Sequence, residues 1–147
     1  MLLRLLPEQV ARYWEEVFKG PIQSTLPPIA GESEDKMNNV LESILAGGLV
    51  VWLSYTKTDM IKVSGFIVTQ LVADDPSKTL ALLIYSIYSP NGFSEREWVE
   101  GFRAFGDYAH SMQCNRIVGY SNVEAVLKRV EQFGGDTSYR FLSIPII

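Results

Sequence analysis

The sequence predicts an α/β (α+β) protein with a mixed, mainly antiparallel central sheet and about four flanking helices, in a single domain over residues 1–147. Three strand-forming runs between residues 49 and 89 follow one another with only short polar connections, which predicts an antiparallel meander. Apolar stripes with helical spacing precede the meander, and a helix–strand–helix–strand series follows it. The length and the apolar content of 47% suit one domain with its own core.

The N-terminal part predicts a short strand over residues 2–6 and then two helices. Pro7 suits the first helical position, and Gly20 is expected to stop the first helix. The apolar stripe of that helix consists of Val10, Tyr13, Trp14, Val17 and Phe18. Residues 20–33 hold three of the seven prolines and predict a loop. The stripe of the second helix consists of Met37, Val40, Leu41, Ile44 and Leu45, and Gly47-Gly48 follow it.

The middle of the chain predicts the strands 49–56, 61–72 and 80–89. The third run is apolar on both faces, which indicates a central strand covered on both sides.

The C-terminal part predicts a long helix, a strand, another helix and a closing strand. Ser94 and Glu97 form an S-x-x-E capping box at the start of the long helix. Its buried face is expected to consist of Trp98, Phe102, Phe105, Ala109 and Met112. Residues 116–121 predict a strand, and Asn122 suits the N-cap of the last helix. The stripe of that helix consists of Val123, Val126, Leu127, Val130 and Phe133, and residues 138–147 predict the last strand.

Composition excludes several classes of function. A net charge of −4 without any block of Lys or Arg argues against nucleic-acid binding. One cysteine and one histidine exclude an intramolecular disulfide, a thiolate zinc cluster and a histidine-rich metal site. The longest apolar runs are far shorter than a membrane span, and the N-terminus lacks the features of a signal peptide. We therefore expect a soluble, cytoplasmic protein without metal.

The order of the predicted elements resembles that of the GNAT acyltransferase superfamily over nearly the whole chain. The segment "CNRIVGYSNVEAVLKRVEQFGG", residues 114–135, is similar to that superfamily's strand–Asn–x–x–Ala–helix–Phe–Gly segment, with Asn122 and Ala125 at the matching places. The resemblance implies a mixed sheet whose fourth and fifth strands diverge. It also implies that acyl-CoA lies in the gap, with its pyrophosphate on the loop before the long helix.

By that alignment the coenzyme loop is "SPNGFSEREW", and it departs from the pattern that the resemblance implies, Gln/Arg-x-x-Gly-x-Gly/Ala. Only Gly92 is present, and Phe93 follows where the backbone needs room. Glu95 and Glu97 suit the dipole at the start of a helix but would repel a diphosphate there. This pattern favours a turn and a capped helix over a coenzyme site, so no cofactor is expected.

The general acid implied by the resemblance is a Tyr about two turns after Asn122, where this chain has Lys128, Arg129 and Val130. Tyr120 could substitute for it. If the protein is an enzyme, the catalytic candidates are therefore Tyr120 and Asn122. The candidates for binding acetyl-CoA are Tyr85, Ser86, Ser89, Gly92 and Ser94.

The leading interpretation is a non-catalytic GNAT-fold binding or assembly protein, similar in size and order to GNAT-like virion-associated or morphogenesis proteins of tailed bacteriophages. The alternative is an acyl-CoA-dependent N-acetyltransferase acting on an amine. An enzyme predicts an open cleft between strands 80–89 and 116–121, whereas a binding module predicts a cleft filled by Phe93 and Trp98. Self-association or a protein partner is expected at the C-terminal strand Phe141–Ile147 or at the loop Gly20–Ser33, because both carry apolar residues.

Overall fold

The fold is built around a five-stranded sheet. A computed structural model describes all residues from 1 to 147. The strands of the sheet follow the order of the chain: β1 (Leu2–Arg4), β2 (Val50–Lys57), β3 (Ile61–Asp74), β4 (Thr79–Tyr88) and β5 (Arg116–Gly119). The first four strands are antiparallel, and β5 runs parallel to β4. The predicted meander and the central position of the third run are confirmed.

Helices cover both faces of this sheet. They are α1 (Pro7–Arg12), a π-helical segment (Trp14–Phe18), α2 (Lys19–Ser24), α3 (Lys36–Leu45), α4 (Glu95–Ser111) and α5 (Glu124–Gln132). On β3, Phe66 and Val68 pack against α1 to α3, whereas Ile67 packs against α4. Because successive strand residues point to opposite faces, α4 lies on the other side of the sheet from the first three helices. None of these helices is both long and apolar enough to cross a membrane.

The first helical region runs past the predicted stop at Gly20 and ends at Ser24. Within it the Phe18 N–H bonds to the carbonyl oxygen of Tyr13 at 3.4 Å, which is the longer hydrogen-bond step of a π-helix. The added residue rotates the helix surface, so Tyr13 and Val17 are exposed although the helical stripe predicted their burial. The buried side chains are spaced by four instead: Val10, Trp14, Phe18 and Ile22.

The C-terminal part differs most from the prediction. Residues 138–147 form no strand, so that prediction is wrong. Asn122 is not the N-cap of α5; Val123 holds that position, and its N–H donates to Ser121 Oγ at 3.1 Å. The stripe of α5 contains no buried residue. Ala109 is the last buried residue of the chain, and beyond it only partly buried side chains, among them Cys114 and Ile117, pack against the core.

Candidate functional site

The candidate site is the gap where β5 leaves β4. The two strands pair from Ala81 with Arg116 to Ile84 with Gly119, and no pair follows. β4 continues to Tyr88, so its last four residues have a free edge on the β5 side. The carboxyl ends of parallel strands that separate are a common place for a ligand in α/β proteins. The divergence of the fourth and fifth strands implied by the resemblance is therefore present.

A β-bulge lies at the point of separation. Ile84 pairs with Thr69 on β3 and Ser86 pairs with Val68, which leaves Tyr85 as an extra residue without a cross-strand partner. The Tyr85 ring packs toward α1 to α3, and Ser86 Oγ lies 2.5 Å from Thr25 Oγ1 on the same side. Neither side chain is directed at β5. Tyr85 and Ser86 can therefore contact a ligand in the gap only through their backbone groups.

The end of β4 is pressed closely against β3. A Cβ atom built on Gly65 overlaps the carbonyl oxygen of Tyr88 and lies 3.0 Å from the Cα of Ser89. Ser89 Oγ donates to the backbone oxygen of Ser64 at 2.7 Å. Gly65 thus permits the close approach of β3 to the end of β4, which determines where the following loop starts. The Ser89 hydroxyl is occupied by its hydrogen bond to β3.

That loop is a tight turn before α4. The Gly92 N–H bonds to the Ser89 carbonyl oxygen at 3.3 Å, and Gly92 has φ +76° with nothing within 4 Å of where a Cβ would be. Ser94 caps α4, because its Oγ accepts from the Glu97 N–H at 3.1 Å and its N–H donates to Glu97 Oε1 at 3.0 Å. The predicted capping box is confirmed. Gly92 provides open space directly before a helix N-terminus, where backbone N–H groups favour an anion.

Both glutamates in the first turn of α4 interact with other side chains of the protein. Glu95 Oε2 lies 2.5 Å from Arg129 Nη2 of α5, and this hydrogen bond holds the pKa of Glu95 below its ordinary value. Ser54 Oγ donates to Glu97 Oε2 at 3.0 Å, which directs Glu97 toward the sheet. Burial raises the pKa of Glu97, but hydrogen bonds from Ser64, Ser94 and Ser54 outweigh it and the net pKa is lowered. The expected repulsion of a diphosphate is therefore reduced, since one carboxylate is paired and the other is turned away.

We expect the substitution Glu97→Gln to lower the free energy of unfolding by about 1 to 2 kcal/mol at pH 7, because hydrogen bonds to a carboxylate are lost. A lowered pKa in the folded state means that the charged form stabilises the protein above the ordinary value of 4.5, and that this stabilisation disappears as the pH falls through the lower folded value. The difference between the two proteins should therefore shrink below pH 4.5. Urea unfolding at several pH values measures it, with Glu42→Gln on the exposed side of α3 as the control. A difference that is independent of pH would contradict this account.

Phe93 and Trp98 contact each other across the start of α4, with ring centroids 5.8 Å apart in an edge-to-face arrangement. Phe93 is half-buried against the apolar cluster formed by α4 and the sheet, which also contains Ile84 and Ile87 of β4. This aromatic pair supports the position of the loop. Its effect on the width of the gap stays a prediction.

Tyr120 directly follows β5, at the end of the gap where the two strands separate. It is 41% exposed, and its ring lies 5.3 Å from that of Phe141 in an edge-to-face contact. Asn122 is exposed two residues later. Of the residues proposed from the sequence, Gly92 and Ser94 lie together at the loop, and Tyr120 lies at the end of β5. The structure adds Arg129, which sequence reasoning considered only as a replacement for a missing acid.

A polar cavity of about 250 Å³ lies on the other face of the sheet, between α3 and the strands β3 and β4. Its lining includes Lys36, Asn39, Ser43, Gln70 and Tyr85. Burial raises the pKa of the Tyr85 hydroxyl, and the Lys36 ammonium group partly offsets this. Tyr85 therefore remains a neutral hydrogen-bond donor there. Sequence reasoning missed this cavity because its lining combines α3, β3, β4 and the loop before α3, which are far apart in the chain.

Solved acetyltransferase structures share this architecture over nearly their whole length. A probable acetyltransferase matches with a TM-score of 0.68 at 13% identity, covering 100% of this chain and 98% of the other. AAC(6')-Iy, solved in complex with the bisubstrate analogue CoA-S-monomethyl-acetylneamine, matches with a TM-score of 0.65 at 16% identity, covering 100% of this chain and 97% of the other. A predicted acetyltransferase from Clostridium acetobutylicum, solved with acetyl-CoA, matches with a TM-score of 0.64 at 8% identity, covering 99% and 95%.

Neither a protein-family model nor a curated protein sequence matches the chain. At the identities of the structural matches, what is shared is the fold. The element order, the parallel β4–β5 pair that separates and the full-length matches agree with the resemblance seen in the sequence. The chain therefore has the GNAT fold of these acetyltransferases.

Proposed function

We propose that the protein is an acyl-CoA-dependent N-acyltransferase that acts on an amine. The observation that carries this proposal is the bulge at Tyr85, located where β5 separates from β4. A bulge at the edge of a ligand gap turns backbone N–H groups away from the sheet ladder, and such donors stabilise negative charge developing on an acyl oxygen. The structural neighbours solved with acetyl-CoA and with a CoA analogue support the same chemistry.

The residues around the loop fit an anionic coenzyme. The backbone N–H groups of Glu95 and Arg96 have no acceptor within the protein, as expected at a helix start. Gly92 leaves open space beside them. These groups would hold the diphosphate, and bound acetyl-CoA would supply an activated acyl group.

The other roles follow from the position of each group along the gap. Backbone groups of Tyr85 and Ser86 would orient the acyl carbonyl. Tyr120 carries a phenolic hydroxyl at the end of the gap, and such a group can return a proton to a departing thiolate. Asn122 would hold the amine or the coenzyme by its amide.

Acetyl-CoA binding tests the proposal directly. Calorimetry should give a dissociation constant in about the micromolar range. Gly92→Asp should weaken binding by about tenfold or more, because it places a carboxylate beside the diphosphate. Gly92→Asn is the matched control, since Asn and Asp both tolerate the positive φ of this position and differ in charge.

Two results would overturn the proposal. One is the absence of heat at millimolar acetyl-CoA with a folded protein. The other is equal binding by Gly92→Asp and Gly92→Asn, which would show that the ligand does not occupy the loop.

A second candidate function is that of a non-catalytic binding or assembly protein. A different observation favours it, whereas a place in a tailed bacteriophage virion rests only on the resemblance seen in the sequence. At the start of α4, Phe93 packs into an apolar cluster and Glu95 forms an ion pair with Arg129. Both contacts use the loop region for structural support. This candidate function predicts that acetyl-CoA does not bind, so the same calorimetry separates the two.

A further inference from the structure

The polar cavity beside α3 presents hydrogen-bond donors from several elements and has no carboxylate in its lining. Lys36 and Asn39 of α3, Gln70 of β3 and Tyr85 of β4 are among its ten lining residues, and none of the ten is Asp or Glu. Side chains that converge from a helix and two strands can contact one small ligand from different directions. The lining is therefore suited to a negatively charged group.

Three of these side chains have unused hydrogen-bonding capacity. The amides of Asn39 and Gln70 and the hydroxyl of Tyr85 form no hydrogen bond to another residue of the protein. Each amide group carries two N–H donors and one acceptor oxygen, and the phenol carries one donor. Polar groups in a recess that have no protein partner are satisfied by water or by a ligand.

Lys36 supplies the positive charge of the cavity. Its side chain is 21% exposed, and its Nζ lies 2.8 Å from Oε1 of Glu32. Glu32 is 92% exposed, so water screens this ion pair and a ligand can replace it at little cost. Burial raises the pKa of the Tyr85 hydroxyl and the Lys36 ammonium group lowers it in part, which places the two groups near each other. A carboxylate can therefore exchange with Glu32 and contact Lys36 and Tyr85 together.

The charge and the volume of the cavity limit the class of ligand. Lys36 is the one cation in the lining, so a single negative charge can be neutralised there, whereas the second charge of a phosphate cannot. The volume of about 250 Å³ lies below the range of about 300 to 1,000 Å³ that is usual for larger ligands. These two properties favour a small molecule with one carboxylate.

We propose that this cavity is a binding site for a small monocarboxylate of about the size of an amino acid. Lys36 Nζ and the Tyr85 hydroxyl hold the carboxylate, and the amides of Asn39 and Gln70 bind the polar part of the ligand. The site does not depend on acetyl-CoA binding, because the loop before α4 lies on the other face of the sheet.

Tyr85 links the cavity to the gap between β4 and β5. Its side chain lines the cavity, and its backbone forms the bulge at the point where β5 separates from β4. A ligand that bonds to the hydroxyl restrains the ring and, through it, the bulge. We therefore expect an occupied cavity to shift the backbone amide signals of Tyr85 and Ser86 in NMR spectra.

NMR titration of the full chain with N-acetylglycine and with N-acetylglycinamide tests the proposal. The two probes differ only in one group, which is a carboxylate in the first and a neutral amide in the second. N-acetylglycine should shift the side-chain amide signals of Asn39 and Gln70 with a dissociation constant in about the millimolar range. N-acetylglycinamide should bind about tenfold more weakly or less, because it cannot pair with the ammonium group.

Substitutions at the two members of the ion pair should act in opposite directions. Lys36→Gln should weaken the binding of N-acetylglycine by about tenfold or more. Glu32→Gln should strengthen it by about threefold, because Lys36 loses a competing carboxylate. Lys62→Gln and Glu42→Gln change the same charges at exposed positions outside the cavity and should have no effect. Tyr85→Phe keeps the ring and should weaken binding by about fivefold.

Two results would overturn the proposal. One is equal binding of the two probes, which would show that the cavity does not select a carboxylate. The other is the absence of shifts at Asn39 and Gln70 with the folded protein in excess N-acetylglycine, which would show that the cavity holds water only.

The carboxylate could belong to the amine substrate or to a separate ligand, and thiol release from acetyl-CoA distinguishes the two; this comparison rests on the proposed function. With glycine as the amine, the nitrogen bonds to the acyl carbon, the C–S bond breaks, and the proton lost by the nitrogen reaches the thiolate. Faster release with glycine than with glycinamide, lost in Lys36→Gln, would assign the carboxylate to the substrate.

The failure of this inference is distinguishable from the failure of the proposed function. Acetyl-CoA binding without carboxylate selection would overturn the cavity site alone. Shifts by N-acetylglycine in a protein that does not bind acetyl-CoA would overturn the acyltransferase and support the cavity as a site for a separate carboxylate ligand.

Discussion

Gly65→Ala is expected to destabilise the protein by about 3 kcal/mol, because the added methyl group collides with backbone atoms. The Cβ would overlap the Tyr88 carbonyl oxygen and press on Ser89, and neither can move without breaking the β3–β4 ladder. The largest displacement should be at the end of β4, where the loop to α4 begins. We therefore expect the substitution to weaken acetyl-CoA binding more than a general loss of stability explains.

Chemical denaturation and calorimetry of the folded variant measure the two effects. Gly20→Ala is the matched control, because nothing lies within 4 Å of its Cβ and the residue is helical. That substitution should stabilise the protein slightly, since Ala favours the helix by up to about 1 kcal/mol. If Gly65→Ala is as stable as the unsubstituted protein, the close approach of β4 to β3 described above is wrong.

Leu82→Ala is expected to cost about 3 kcal/mol. Leu82 lies on the central strand β4 with 0% exposure, and it packs against α4 in the cluster that contains Phe105 and Ala109. Its truncation leaves a cavity between the sheet and α4 that the surrounding backbone can close only in part.

The matched control for Leu82→Ala is Leu45→Ala, which removes the same atoms from a side chain that is 50% exposed at the end of α3. The control should change the free energy of unfolding by less than about 0.5 kcal/mol. Urea denaturation measures both variants. Similar losses for the two substitutions would contradict the assignment of Leu82 to the core.

The sequence predicted the meander and the start of α4 because those features depend on neighbouring residues. The connections between β2, β3 and β4 are short, and Ser94 and Glu97 are three residues apart, so local pattern is sufficient. Helical spacing also predicted the burial of Met37, Val40 and Ile44 on α3.

The features that sequence reasoning missed depend on residues distant in the chain or on small changes of helical twist. The π-helical segment shifts the buried face of the first helix by one residue, and no local signal distinguishes it from a continuous stripe. The pairing of Glu95 with Arg129 requires the relative position of α4 and α5.

The strand predicted at the C-terminus failed for a different reason. Residues 138–147 have strand-forming composition, but a strand exists only when it pairs with another strand, and these residues form no backbone–backbone hydrogen bond within the protomer. The composition of this segment therefore predicts that it pairs as a strand, but it does not identify the partner strand. Asn122 failed as a cap because a cap depends on backbone geometry as well as on residue type.

The confinement of the fully buried residues to positions 1–109 has a consequence for how the chain folds during synthesis. The meander pairs each strand with the next, so few contacts must wait for distant parts of the chain, and such low contact order favours early folding. Translation proceeds at about 5 to 20 residues per second, and the buried part is complete before the final helix emerges. Residues 110–147 then join a protein whose buried residues are already present, so the packing of β5, with Cys114 and Ile117, does not have to precede the folding of the meander.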